Sequence, residues 1–297
     1  MRGTTVHYLA SDAAPTPGAP LHLFVPNPAG SASAWLDVLA EMRRNGQVVA
    51  VDLPGTIVGH TASPNRRAAG VEANARFLCA FTDVLGLDEV VVHGWSAGGM
   101  IALLFADLAP ERVAGIVLVA PALPPGISEV EARIWRTVGR AGLAVVPPVA
   151  RLMLGVLGRR VLDRKVRFLA DPAAIAGSKW NTGGDLTRMS AEITDVIRDE
   201  MAAVRPKQMS SAVTVMTSVM SLMFVRRDRV FEAMSRVAAP TLLLWGDDDR
   251  LIVRAWIDDW TALRPDWELT VLGGVGHVLP LEVPADYARA VGTWMGA

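Results

Sequence analysis

A single cysteine, Cys79, excludes an intramolecular disulfide and a cysteine-rich zinc site. Lysine occurs only at Lys165, Lys179 and Lys207, a bias that reflects genome composition before physics, and tyrosine only at Tyr8 and Tyr287. Net charge is nearly absent as well. With 29 basic and 30 acidic residues the formal charge is −1, so no whole-protein basic field recruits nucleic acid. The first 20 residues carry Arg2 but no following apolar run of ~7–15 residues, which argues against a secretory signal. The most lipid-like stretch, residues 141–158, is broken by Pro147, Pro148 and Arg151. A span needs ~20 mostly apolar residues, so this stretch reads as a buried or groove-lining segment. The expectation is a soluble cytoplasmic protein with no membrane span and no nucleic-acid partner. Hydrophobic residues make up 51% of the 297, which excludes a disordered chain. A chain of this length buries about 75% of its unfolded surface.

Short Val-, Ile- and Leu-rich runs at residues 21–25, 47–51, 90–93, 115–119, 241–245 and 268–272 read as buried strands, with residues 6–9 as a further edge strand. Helix-like stretches at 34–44, 71–85, 98–109, 255–263 and 284–295 lie between or after them. This alternation predicts an α/β fold: a mostly parallel sheet with helices on both faces. The segment 13–20, with Pro15, Pro17, Gly18 and Pro20, reads as a turn-rich connector.

The alternation stops after Val119. No convincing strand falls between residues 121 and 236, which hold eight of the twelve methionines. The predicted organisation is a core of residues 1–120 and 237–297 with a helical cap inserted at 121–236. Met209, Val213, Met216, Met220 and Met223 recur at steps that place them on one helix face. Such a face packs on neighbouring elements, walls an apolar ligand, or does both. Between residues 121 and 236 lie 18 basic and 11 acidic residues, so the remainder of the chain is acidic. The two surfaces attract each other modestly, or the basic insert recruits an anionic substrate or an acidic carrier; composition leaves both open.

The strongest chemical signal is Gly94-Trp95-Ser96-Ala97-Gly98, which follows one predicted strand and opens one predicted helix. A sharp turn there raises the Ser96 hydroxyl at a strand's carboxyl end, next to backbone N–H groups that face developing negative charge. A serine hydroxyl needs a base. His277, in Gly273-Gly274-Val275-Gly276-His277 after the last predicted strand, is the best placed of five histidines. His93 reads as a buried supporting residue, and His60 lies in a loop able to rim a pocket. An orienting carboxylate is offered by Asp247, Asp248 and Asp249, just past another strand. The order serine, acid, histidine is that of a hydrolase triad at successive strand ends.

With these motifs the sequence resembles the α/β-hydrolase superfamily across the chain outside the insert. The resemblance rests on Val51-Asp52-Leu53-Pro54-Gly55, Gly94 to Gly99, Gly246 to Arg250, and Gly276-His277 with Glu282 and Pro284 downstream. It implies an eight-stranded sheet with an inserted helical cap, no metal, no organic cofactor, and Asp249 as the acid. One departure concerns the oxyanion hole. Where family members carry His-Gly-x, this chain reads Val25-Pro26-Asn27-Pro28-Ala29-Gly30-Ser31. The x position falls on Pro28, which has no N–H, so the donors in play are the Ala97 N–H with a group among Asn27, Ala29 and Ser31. Ser96 stands where epoxide hydrolases and haloalkane dehalogenases of the family carry aspartate, and no tyrosine lies in the insert.

The expectation is a serine hydrolase of a carboxylic ester, lactone or thioester of an apolar small molecule. Ser96, Asp249 and His277 form its catalytic set, and Trp95, Met209, Met216, Met220 and Met223 its substrate wall. The alternatives are a non-hydrolytic enzyme on the same fold (acyl transfer, cyclisation or a lyase step) and a non-catalytic ligand-binding module.

Overall fold

The structure, a computed structural model, describes residues 4–11, 19–62, 65–177 and 183–296. Residues 13–18 of the expected connector lie outside them.

Seven strands form one sheet: β1 (Tyr8–Ala10), β2 (Leu21–Val25), β3 (Gln47–Val51), β4 (Val90–Trp95), β5 (Val113–Val119), β6 (Thr241–Gly246) and β7 (Glu268–Leu272). Their order is β1-β3-β2-β4-β5-β6-β7. β1 runs antiparallel to β3, and every other pairing is parallel. The described sheet thus has one strand fewer than the eight expected. The sequence offers one edge-strand run before β2, at residues 6–9, and residues 1–3 and 12–18 lie outside the described ones.

The period-2 alternation of β residues builds two cores. Leu23, Val49, Val92, Leu118 and Leu243 face one layer, while Phe24, Ala50, Val91, Val117 and Leu242 face the other. The first layer holds α2 (Val71–Leu85) and α3 (Ala97–Leu108); the second holds α1 (Leu36–Met42).

Only helical elements join β5 to β6 among the described residues. They are α4 (Glu129–Ile134), α5 (Arg140–Leu169), α6 (Pro172–Gly177), α7 (Ala191–Ala203), α8 (Pro206–Met220) and α9 (Asp228–Arg236), with short 3-10 and π turns. α9 returns to the sheet: Val230, Ala233 and Met234 join the first core, and Arg229 and Arg236 both pair with Asp107 of α3. After β6 come α10 (Arg254–Leu263), α11 (Leu279–Glu282) and α12 (Pro284–Trp294). α10 adds Ile257 and Trp260 to the first core, and α12 adds Tyr287 and Val291 to the second.

Two expectations for the insert change. Residues 141–158 are not buried: within this stretch only Pro147 and Gly158 are, and the rest of α5 there faces outward or is half-covered. The helices Glu129–Leu169 and Gln208–Val225 are both long and apolar enough to cross a membrane by length and composition. The methionine face is also divided. Met209 sits in a small cluster with Val58, Leu162 and Val204, Met220 is half-buried, Met223 joins the first core, and Met216 is 54% exposed. The helix is covered from two directions. Gly158 of α5 abuts Met209, and Ser218 accepts from the Val71 N–H at the start of α2. Its buried positions therefore include Ser211, Val215, Val219 and Leu222 rather than one methionine stripe.

Candidate active site

The turn between β4 and α3 places Ser96 at φ 56° and ψ −119°, a region sparsely occupied by residues with a side chain. Such strain costs of order 1–3 kcal/mol and persists only where the surroundings over-determine it. Here the Ser96 N–H donates to the Val119 carbonyl at 2.8 Å, and its carbonyl accepts from Gly99 and Ala122 at 2.9 Å each. Gly98 is required by close approach: a Cβ would come within 2.6 Å of the Val25 and Pro26 carbonyl oxygens. This contact seats the start of α3 against the end of β2, beside the Asn27–Ala29 turn.

His277 lies after β7 and Asp249 after β6. The His277 Nδ1 is 2.8 Å from Asp249 Oδ2, and its Nε2 is 3.0 Å from Ser96 Oγ. A carboxylate only accepts, so Nδ1 carries the ring proton and Nε2 is left to accept from the serine hydroxyl. Asp249 and His277 are both buried. Asp249 Oδ1 accepts from the Leu251 and Ile252 N–H groups at 2.8 and 3.0 Å, which fixes the carboxylate plane. Of the neighbouring acids, Asp247 accepts from the Gly274 N–H and Asp248 from the Gly184 N–H, so neither is the one that reaches His277.

Trp95 does not have the role expected of it. It is buried beneath the site: its Nε1 donates to the His277 carbonyl at 2.9 Å and its ring meets Trp35 edge-on. It braces the histidine rather than contacting a ligand. β4 is covered on both faces, so its sequence alone does not say which layer the indole enters.

The oxyanion candidates also separate. Ala97 opens α3, where the first N–H groups have no intrahelical partner. Pro28 lacks an N–H, and its carbonyl accepts from Ile57. The Ala29 N–H is taken by Asn27 Oδ1 at 2.8 Å, and the Ser31 hydroxyl donates to Glu200 Oε2 at 2.7 Å. Ala29 and Ser31 are therefore corrected as donors. Among the described residues the Asn27 N–H makes no hydrogen bond.

Glu282, buried in α11, accepts from the Gly276 N–H at 3.1 Å and from the Asp185 N–H of the insert at 2.9 Å. Burial pushes its carboxyl above the usual carboxylate range. Gly183, at φ +75°, lies so close to the Asp248 carbonyl that a Cβ would collide with it. The insert therefore rests on both the acid loop and the histidine loop. Glu282 was part of the sequence resemblance, but its bridging role was legible only as one acid in the apolar run Leu279-Pro280-Leu281.

His93 is fully buried as expected, in a chain with His22 (2.8 Å) and the Tyr287 hydroxyl (2.6 Å). Burial holds His22 down at about 4 and His93 well below the usual range, and holds Tyr287 well above its own. His60 does border a cavity of about 320 Å³, with Thr61, Glu200 and Gln208, although Ser96 and His277 do not line it. Asp52 Oδ2 meets both His7 Nδ1 and His60 Nδ1, at 2.9 and 3.2 Å. These three are the one group of three or more metal-ligating side chains brought together among the described residues. The same carboxylate accepts from the Ala32 and His60 N–H groups, which ties the end of β3 to two loops.

A serine on a strained strand-to-helix turn, with a histidine and a carboxylate delivered from later strand ends, defines the class of α/β-hydrolase-fold proteins. The chain belongs to the alpha/beta hydrolase family, whose profile matches residues 16–290. Over 271 residues it is 26% identical to the 2-hydroxy-6-oxo-2,4-heptadienoate hydrolase of Pseudomonas putida, covering 89% of this chain and 83% of that one. Over 162 residues it is 33% identical to the dihydrolipoyllysine-residue acetyltransferase component of the acetoin cleaving system of Cupriavidus necator. That match covers 51% of this chain and only 40% of the relative's length. In structure it resembles a thermophilic esterase from Thermogutta terrifontis, with a TM-score of 0.66 at 20% identity, over 99% of this chain and 93% of that one. At that identity the likeness concerns the fold.

Proposed function

We propose that the protein is a serine hydrolase that cleaves a carboxylic ester, lactone or thioester of an apolar small molecule through an acyl-enzyme. The observation that carries this reading is the unbroken line Ser96–His277–Asp249, with gaps of 3.0 and 2.8 Å. Ser96 Oγ attacks the carbonyl carbon while His277 Nε2 takes its proton. Asp249 holds the imidazole and stabilises its cation. The Ala97 and Asn27 N–H groups stabilise the tetrahedral oxyanion. His277 returns the proton to the leaving alcohol or thiol as that bond breaks. Water, deprotonated by the same nitrogen, then releases the acid and restores Ser96.

Residues 121–236 act as a cap, resting on the core through Glu200 on Ser31 and Asp185 on Glu282. Hydrolysis, the coarser part of the reading, is supported by the relative named 2-hydroxy-6-oxo-2,4-heptadienoate hydrolase. A second reading keeps the acyl-enzyme but hands it to an acceptor other than water. It draws on Pro28, which withdraws one N–H from the loop that follows β2, whose end packs on Gly98 at the start of α3.

Exposure to a panel of activated esters and thioesters, followed by mass spectrometry of the peptide bearing Ser96, tests the proposal. An acyl adduct on Ser96, absent in Ser96→Ala, is the expected result. A Ser96→Ala protein with full turnover would overturn it. Acylation that persists in water and clears on adding an alcohol or amine favours the second reading.

A further inference from the structure

Helix Glu129–Leu169 carries an outer face without charge for about 27 Å, the length of eighteen helical residues. Between residues 141 and 158 every exposed position is apolar. Val145, Val149, Leu152 and Val156 recur at steps of four, three and four and form the crest, with Leu152 69% and Val156 71% exposed. Arg151 is the single charged residue in this stretch, and it is turned inward: its Nη2 donates to Thr214 Oγ1 of α8 at 3.0 Å. Cations are gathered at both ends instead. Arg133, Arg136 and Arg140 precede the apolar stretch; Arg159, Arg160, Arg164, Lys165 and Arg167 follow it. Between Arg133 and Arg167 the one acid is Asp163, paired with Arg159, while Glu129 and Glu131 belong to the capping turn.

We propose that this face docks the protein onto the surface of an anionic lipid bilayer, with the helix lying in the plane of the interface. This goes beyond the hydrolase reading and does not depend on it. An apolar crest flanked by arginines places side chains at the acyl boundary and guanidinium groups among the phosphates. A second copy of the chain fits less well. Both helix ends are basic, so parallel and antiparallel pairings alike set arginines against arginines. Crossing the membrane is disfavoured too. Gly158 and Leu162 seat the opposite side of the helix on the protein, and a span would carry Arg151 into hydrocarbon.

Sedimentation of the full chain with vesicles tests this, using phosphatidylcholine and phosphatidylglycerol in a ratio of about two to one, against phosphatidylcholine alone. The expected result is binding to the anionic vesicles, falling at least about tenfold in V149S/L152S/V156S, whose sites are exposed and leave the fold intact by circular dichroism. In R160Q/R164Q, which keeps the apolar crest and the Arg159–Asp163 pair, each lost charge lowers partitioning about fivefold. A folded chain that ignores the anionic vesicles overturns the proposal, as does a serine variant that binds like the parent. A vesicle-free dimer that dissociates in the serine variant, without lipid binding by the parent, assigns the face to a second copy and also overturns it.

Discussion

The Asp249 carboxylate presents Oδ2 to His277 Nδ1 at 2.8 Å while two backbone N–H groups hold Oδ1. The acid is thus fixed before any substrate arrives, and the imidazole inherits that orientation. In Asp249→Asn the amide keeps the shape but allows the ring to place its proton on Nε2, where it no longer accepts from Ser96. Turnover should fall roughly 10⁴-fold with KM little changed. Asp247→Asn and Asp248→Asn should each keep most activity. Steady-state kinetics of the three variants on one activated ester decide this, and equal losses would unseat Asp249 as the acid.

Trp95 offers a test of bracing against substrate contact. Trp95→Phe keeps an aromatic ring against Trp35 but removes the donor to the His277 carbonyl. The expected outcome is a lower kcat with KM preserved, and a loss of about 0.5–1.5 kcal/mol in unfolding free energy. A rise in KM that depends on the size of the acyl group would instead restore Trp95 to the substrate wall.

Much of this arrangement was legible because the sheet is buried on both faces. Strand runs were short and apolar, and the glycines around Ser96 mark a place where helix and strand nearly touch. What the sequence hid was which neighbour covers each face. Met216 lies on the same helical stripe as Met209 and Met223, yet α8 is packed from two directions and Met216 faces outward. For residues 141–158 the sequence points to a buried or groove-lining segment, because hydropathy reports transfer preference and not the presence of a partner. Ala29 and Ser31 looked free as donors because side-chain bonds to Asn27 and Glu200 leave no pattern in the sequence.

Glu282 joins the histidine loop to the insert, and its removal leaves the Gly276 and Asp185 N–H groups without their acceptor. Glu282→Ala should lower unfolding free energy by about 1–3 kcal/mol. Asp286→Ala, four residues on, removes the exposed pair with Arg289 and the first-turn acid of α12, and should cost less, about 1 kcal/mol or under. Urea titration of both variants makes the comparison, and equal midpoints would remove the bridging role.

The buried His22–His93–Tyr287 chain gives stability a pH dependence whose sign follows from linkage. Folded His22 titrates at about 4, against 6.5 for the free side chain, so between those values the unfolded chain binds more protons. The contribution of these groups to stability is therefore complete above pH ~6.5 and declines as pH falls toward ~4, by at most about 1.4 kcal/mol per pH unit for each histidine. His93 is depressed further and adds to the same slope. His22→Asn removes one of the two groups and should flatten the dependence over this window, as followed by urea midpoints. A parent stability that rises on acidification through this window would contradict the buried neutral pair.

The proposed oxyanion donor in this loop can be tested because it is a backbone group, whereas the neighbouring turn is closed by a side chain. Asn27 Oδ1 closes the turn onto the Ala29 N–H, whereas the Asn27 N–H makes no hydrogen bond among the described residues. Asn27→Ala loses the turn contact and keeps the N–H; Asn27→Pro loses both. If the N–H stabilises the tetrahedral oxyanion, the alanine variant retains most of kcat and the proline variant loses about 10²–10³-fold, the size of effect of one missing donor. Ser96 should still be labelled by a fluorophosphonate in the proline variant, only more slowly, because nucleophile and base are untouched. Equal kinetics in the two variants would show that Ala97 carries the oxyanion without help from this loop, and would leave Pro28 as the reason the family's second donor is missing here.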